Sequence, residues 1–247
     1  MSLERIWPTQ ENLNSYLEDY PEHRIRYDLI NRFIQGKKCA DISCGVGYGA
    51  FLMGKIAESV KGFDISKEAL DHAKNNFQSS NVSFYFLNDL KNEKFESISS
   101  IETLEHMTES EGDKFLEKLR NAMVPSALLI ISTPLNETPF KENTTEFHIR
   151  EYSFIEFKNK LERSGFQVEK FYGISNITSE RMSSKVMGLS LIDIFQTGLH
   201  RLIPKFIRNI AAKLILKKDP TKPVPECKLL EDNLEGAFCQ IAICKLR

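Results

Sequence analysis

The stretch Lys-Cys-Ala-Asp-Ile-Ser-Cys-Gly-Val-Gly-Tyr-Gly (38–49) carries the residue types a cofactor loop needs. Gly45, Gly47 and Gly49 alternate behind a short apolar run that contains an acid, Asp41. Lacking a Cβ, glycine lets the main chain turn tightly and lets a ligand lie against its amides. Such a turn between a strand and a helix is where open α/β sheets hold nucleotide-like cofactors. Asp64 closes the next apolar run, 19 positions after Gly45, where a carboxylate can accept hydrogen bonds from ribose hydroxyls. A dinucleotide is the rival ligand, and two features count against it. The spacing is Gly-x-Gly-x-Gly rather than Gly-x-Gly-x-x-Gly, and Asp41 would repel a pyrophosphate while attracting an ammonium or a sulfonium. Two histidines, His106 and His148, have the intrinsic pKa for proton abstraction near neutrality. Local packing or hydrogen bonding is the alternative role for each. Glu102 and Glu105 could orient such a base or bind an acceptor, although acids at helix starts are commonplace.

These residues need elements to hold them. The chain is expected to open with helices over its first ~35 residues, stopped near Gly36, and then to alternate. Strands are expected at 38–43, 59–65, 82–87, 95–101, 127–132, 166–172 and 237–245. Helices are expected after the glycines, at 67–77 with Ser66 as cap, at 110–123 ending near Pro125, and from the capping box at Ser153 to about Ser164. Alternation of this kind implies right-handed βαβ units and a mostly parallel sheet. On this reading His106 and His148 each follow the carboxyl end of a strand, the side on which ligands bind. Residues 173–235 break the rhythm, and segments of that length in a compact domain usually have a task.

With these motifs in order, the chain resembles the class I S-adenosylmethionine-dependent methyltransferases over about residues 20–172, completed by the strand at 237–245. Asp-Ile-Ser-Cys-Gly-Val-Gly-Tyr-Gly is similar to that family's Asp-x-Gly-Cys-Gly-x-Gly-x-Gly loop, with Ser43 where glycine is usual. Gly-Phe-Asp-Ile-Ser (62–66), Asn88-Asp89-Leu90, the run from Phe95 to Leu104-Glu105-His106, and Ile131-Ser132-Thr133-Pro134 resemble the family's later strand ends. The resemblance implies an α/β, Rossmann-like fold with a seven-stranded, mostly parallel sheet and helices on both faces. It implies S-adenosylmethionine as cofactor, contacted by Arg26, Asp41, Ser43, Gly45, Gly47, Tyr48, Gly49, Asp64, Ile65, Asp89, Leu90 and Glu102. In that scheme Asp64 meets the ribose, Asp89 the adenine amino group and Arg26 the methionine carboxylate. A narrower likeness, carried by Glu22-His23, Arg26-Tyr27 and Phe147-His148-Ile149-Arg150-Glu151-Tyr152-Ser153, is to methyltransferases of bacterial surface-glycan synthesis. It implies a sugar hydroxyl of a glycan or lipid-linked precursor as acceptor, with His148 or His106 as base. A quinone or other small-molecule O-methyltransferase, and a non-catalytic cofactor-binding module, are the alternatives.

Composition narrows the setting. Lys plus Arg (33) nearly balance Asp plus Glu (34), so no nucleic-acid partner is expected from global charge. The five cysteines include no Cys-x-x-Cys pair, which suits free thiols in the cytoplasm. The fourth-strand end offers glutamates without an Asp-Asp-Asn set, so no metal is expected. Residues 1–172 with 236–247 are assigned to the cofactor-binding domain and 173–235 to an insertion. Within the insertion, residues 189–218 place Ile192, Phe195, Leu199, Leu202, Phe206, Ile210 and Leu214 on one helical stripe, flanked by Arg201, Lys205, Arg208, Lys213, Lys217 and Lys218. That stripe suits a lid, a homodimer contact, or peripheral contact with the inner face of an anionic membrane.

Overall fold

The computed structural model describes residues 7–91, 93–136, 147–177 and 226–247. The stripe at 189–218 and the Pro-rich 219–225 lie outside the described residues. Helices α1 (Leu13–Asp19) and α2 (Pro21–Asn31) precede the sheet. Then come β1 (Lys38–Ile42), α3 (Tyr48–Gly54), β2 (Ser59–Asp64), α4 (Lys67–Phe77), β3 (Val82–Phe86), β4 (Phe95–Ser100), α5 (Glu109–Asn121), β5 (Met123–Pro134), α6 (Phe154–Arg163), β6 (Phe166–Asn176), β7 (Cys227–Glu231) and β8 (Cys239–Leu246). The sheet order is β3-β2-β1-β4-β5-β8-β6-β7. Strands β1 to β5 pair in parallel, whereas β8 runs antiparallel to both β5 and β6.

Side chains on successive strand positions serve opposite faces. Cys39 and Ile130 join one core with Leu29, Ile30, Ala50, Met53, Leu70 and Ala73 of α2 to α4. Ala40, Ile42, Leu129 and Ile131 join the other with Leu116 and Leu119 of α5 and Phe157 and Leu161 of α6. The chain leaves β1 toward β2 and leaves β4 toward β5, so the connections diverge between β1 and β4. At such a switch point a crevice opens above the carboxyl ends of the strands. The glycine loop follows β1 and Glu102 follows β4, one on each side of it.

Local chemistry sets the helix starts. The Ser66 hydroxyl accepts from Ala69 N–H at 3.3 Å, and Ser153 with Glu156 forms the expected capping box. Thr108 and Glu111 form a second box that opens α5, a Thr-x-x-Glu signal readable in the sequence but not used above. Three expectations need correction. Among the described residues the sheet has eight strands rather than seven, because β7 pairs antiparallel with β6. Residues 173–176 and 227–231, assigned to the insertion, are therefore strand. Helix α5 ends at Asn121, and β5 begins at Met123 and passes through Pro125. That proline, which has no N–H, sits between the Phe95–Met123 and Ser97–Leu128 pairs, where the register shifts.

Replacing Ser153 with Ala removes one side-chain acceptor at the start of α6 and should cost about 1 kcal/mol. Urea unfolding should show a lower midpoint at unchanged slope; an unmoved midpoint would mean that the cap contributes nothing.

Candidate active site

The glycine loop is shaped by contacts that exclude side chains. Gly47, at φ +91°, stands at the N-terminus of α3, and a Cβ there would lie 2.6 Å from Ala73 Cβ and 2.8 Å from the Phe84 ring. A Cβ on Gly49 would fall 2.0 Å from the Tyr27 hydroxyl oxygen. Gly45, by contrast, has open space where its Cβ would be. Its N–H donates to Asp64 Oδ2 at 2.8 Å, and Ser66 N–H donates to Asp64 Oδ1 at 2.8 Å. The carboxylate that ends β2 is thus aimed at the loop after β1, as the 19-residue spacing requires. Ser43 adopts φ +63°. This left-handed backbone explains why glycine suits the position, and serine there carries a cost of roughly 1–2 kcal/mol.

Asp41 is 1% exposed. The Ser99 hydroxyl donates to its Oδ1 at 2.7 Å, while Oδ2 finds no hydrogen-bond partner among the described residues. Burial pushes its carboxyl up to about 7 against the pull of the Ser99 hydrogen bond, and nearby Asp64 adds to the rise. A buried carboxylate oxygen without a donor fits an ammonium group. Arg26 is also buried; its Nη2 lies 3.3 Å from Glu102 Oε2, and its Nε finds no partner among the described residues. Burial works against the guanidinium charge, but Glu102, Cys239 and Tyr48 together outweigh it and hold Arg26 charged. The sequence reading sent Arg26 toward a cofactor carboxylate, with a surface ion pair as the alternative. The observed pair is buried instead. Glu102 itself has φ +49° and is held by its N–H to the Ser132 carbonyl and by the Ser132 hydroxyl, which donates to Oε1 at 2.7 Å.

On the β2–β3 side, Ile65 is 78% exposed and Leu90 is buried, so an apolar edge and an apolar floor accompany Asp64. Asp89 accepts from Phe86 N–H at 3.2 Å, which orders the turn after β3. Tyr48 points elsewhere: its hydroxyl donates to His23 Nδ1 at 2.7 Å. Burial and Arg26 depress the His23 pKa to about 3, so this imidazole is neutral and accepts. The Glu22-His23 and Arg26-Tyr27 motif therefore builds the wall that clamps α2 to the glycine loop.

His106 and His148 come together, their ring centroids 5.1 Å apart. The Glu105 carbonyl accepts from both Ile149 N–H (2.8 Å) and Arg150 N–H (3.0 Å), stapling the segment around His148 onto the turn after β4. His148 Nδ1 lies 2.7 Å from Glu151 Oε1, and His106 Nδ1 lies 3.0 Å from the Phe147 carbonyl. Glu151 enters the sequence reading only as a member of the 147–153 motif, with no role of its own; the signal for its contact is the His-x-x-Glu spacing. Glu105 is fully buried, accepts from the Thr133 hydroxyl at 3.0 Å, and is pushed up to about 9 by burial and then by Glu102.

With that geometry in view, the comparisons agree. The methyltransferase domain family matches residues 13–170. The chain belongs to that family, and it is an S-adenosylmethionine-dependent methyltransferase with the Rossmann-like fold. A probable S-adenosylmethionine-dependent methyltransferase of Mycolicibacterium smegmatis is 23% identical over 63% of this chain and 62% of its own length. The ubiquinone biosynthesis O-methyltransferase of Coxiella burnetii is 27% identical over 72% of this chain and 73% of its own. Among solved structures, the TehB-like methyltransferase of Corynebacterium glutamicum aligns over 95% of this chain and 97% of its own, with TM-score 0.53 at 14% identity.

Two outcomes follow from the loop. Ser43→Gly should raise stability by about 1 kcal/mol, seen as a higher urea midpoint; a lower one would contradict the strain. An ammonium beside Asp41 favours its ionised form, so cofactor binding at about pH 6 should release a proton and should tighten as pH rises through the folded pKa. Calorimetry in buffers of different ionisation enthalpy reads this release; equal heats in all buffers, or release retained in Asp41→Asn, would rule it out.

Proposed function

We propose that the protein methylates an oxygen, the hydroxyl of a sugar in a surface glycan or its lipid-linked precursor. The observation that carries this reading is the His106–His148 pair, stapled beside the turn that holds Glu102. S-Adenosylmethionine supplies, when bound, an electrophilic methyl group on a sulfonium that leaves readily. The protein's share is then to hold the acceptor in line and to manage its proton. Asp64, Asp41 and the Gly45–Gly49 loop would bind the cofactor, with Ile65 and Leu90 against its adenine. The histidine pair would take up the proton that the acceptor hydroxyl loses, with Glu151 orienting His148. Exposed Phe147 and Ile149 flank His148, and an apolar rim beside polar imidazoles suits the mixed CH and hydroxyl surface of a sugar ring.

The name of the Coxiella relative supports oxygen as the acceptor atom and favours a quinol as the second reading. The segment from Phe147 to Ser153 supports the glycan reading by its resemblance to glycan methyltransferases. Among the described residues no helix is long and apolar enough to cross a membrane. Contact with a lipid-linked acceptor would fall to the segment 189–218, and the cytoplasm is the proposed location.

Methyl-labelled S-adenosylmethionine, offered with a lipid-linked oligosaccharide fraction and separately with a catechol-type quinol, separates the readings. Label on a sugar oxygen is the expected result, label on the quinol establishes the alternative, and tight cofactor binding without transfer to either identifies a binding module. Asp64→Ala should weaken cofactor binding at least about tenfold, since a charged acceptor of hydrogen bonds is lost; unchanged affinity by calorimetry would refute the ribose assignment. His148→Ala should lower turnover while leaving cofactor affinity in place, and normal turnover would leave His106 as the base.

A further inference from the structure

Glu105, His106 and His148 each offer one ligand atom, and these atoms lie within 4.8 Å of one another. The sequence reading did not join them, because His148 lies 42 positions after His106 and arrives only through the staple on the Glu105 carbonyl. We propose that these three residues bind a divalent first-row transition ion, zinc foremost, whose open coordination position receives the acceptor oxygen.

Three observations carry the assignment. The first is the donor set: two imidazoles and one carboxylate, with a coordination position left over, is the composition of catalytic zinc centres. The second is what stands behind the ligands. His106 Nδ1 faces the Phe147 carbonyl, which can only accept, and His148 Nδ1 faces the Glu151 carboxylate. Nδ1 of each ring is thus the nitrogen placed against an acceptor, and Nε2 is the one that would face an ion. A metal-bound histidine is held this way, with its other N–H donated to a carbonyl or a carboxylate. The third is Glu105 Oε1, a fully buried carboxylate oxygen with no hydrogen-bond partner among the described residues. Thr133 and the Glu105 N–H serve the carboxyl group, and Arg26 acts on it from a distance, but among the described residues no lysine or arginine forms an ion pair with Glu105. A divalent ion would supply the positive charge that this oxygen lacks.

A catalytic dyad of His148 and Glu151 would account for the 2.7 Å contact but not for Glu105. The ion accounts for both. Its role rests on the proposed O-methylation and revises one assignment in it: with the ion bound, the two histidines hold the metal instead of taking up the acceptor's proton. A hydroxyl bound to a divalent cation ionises more readily than a free one. The O–H bond would break with its electron pair left on oxygen and the proton passed to water. That oxygen would then form a bond to the methyl carbon as the C–S bond breaks, its electron pair leaving with sulfur as the neutral thioether.

The test uses the full chain, freed of metal by a chelator and titrated with cobalt(II), which reports its ligands through visible absorption bands, and with zinc by calorimetry. One equivalent should bind, and zinc should displace cobalt. His106→Ala and His148→Ala should each weaken binding at least about tenfold, and Glu151→Gln, behind the ligand, about 10–100-fold. S-Adenosylmethionine affinity, measured on every variant, reports that the fold is intact. Absence of uptake by the wild-type chain, or equal affinity in both histidine variants with cofactor binding preserved, overturns the proposal. Metal uptake without cofactor binding would instead overturn the cofactor reading and leave the ion site standing.

Discussion

Buried carboxyl groups that can ionise only beside a positive charge, gathered at the carboxyl ends of three neighbouring strands, are the constraint on which the rest of the site depends. Asp41 in β1, Asp64 at the end of β2, and Glu102 and Glu105 after β4 gather at one rim of the sheet. Arg26 is the one buried cation with a recorded ion pair to this group among the described residues. Burying carboxylates is costly unless each finds a donor or an opposite charge. Asp64 finds main-chain N–H groups, and Glu102 finds Arg26 and Ser132. Asp41 and Glu105 each keep one oxygen without a donor. The fold thus carries a site whose charge balance is completed from outside, by a cationic cofactor on one side and, as proposed, by a metal ion on the other.

That constraint explains the backbone as well as the ligand. A pyrophosphate would add negative charge beside Asp41, whereas an ammonium removes the penalty of ionising it. The loop takes its shape through Gly47 and Gly49, whose missing side chains let α4, β3 and α2 close against it. Ser43 and Glu102 hold left-handed backbone on either side of the crevice, and both lie at the ends of adjacent parallel strands. Strain there is compensated by the sheet, which anchors both turns through the β1–β4 pairing.

Much of this was legible in residue order. The apolar runs and the Ser66 and Ser153 caps located β1 to β4, α4, α5 and α6 to within a residue or two, because each is decided by neighbours in sequence. The start of β5 was missed by four residues because Pro125 reads as a break. The Gly45–Asp64 contact followed from a spacing that a βαβ unit imposes. Charge partners were harder. Arg26 was read as a ligand of the cofactor carboxylate or one half of an ion pair, and its pairing with Glu102, which joins α2 to the turn after β4, is a contact that no local pattern encodes. The strand β7 was hidden because Cys227–Glu231 is short and lies some fifty residues along the chain from the strand it pairs with, β6. The meeting of His106 with His148 was likewise invisible, since it depends on two N–H groups converging on a single carbonyl oxygen.

Ligand choice by charge can be read in one experiment: calorimetric titration of the full chain with S-adenosylmethionine and, in parallel, with the dinucleotide NAD. Saturable one-to-one binding of the sulfonium compound with no measurable heat from the dinucleotide is the predicted result. Tighter binding of NAD, or equal binding of both, would contradict the view that buried acids on this rim select a cation.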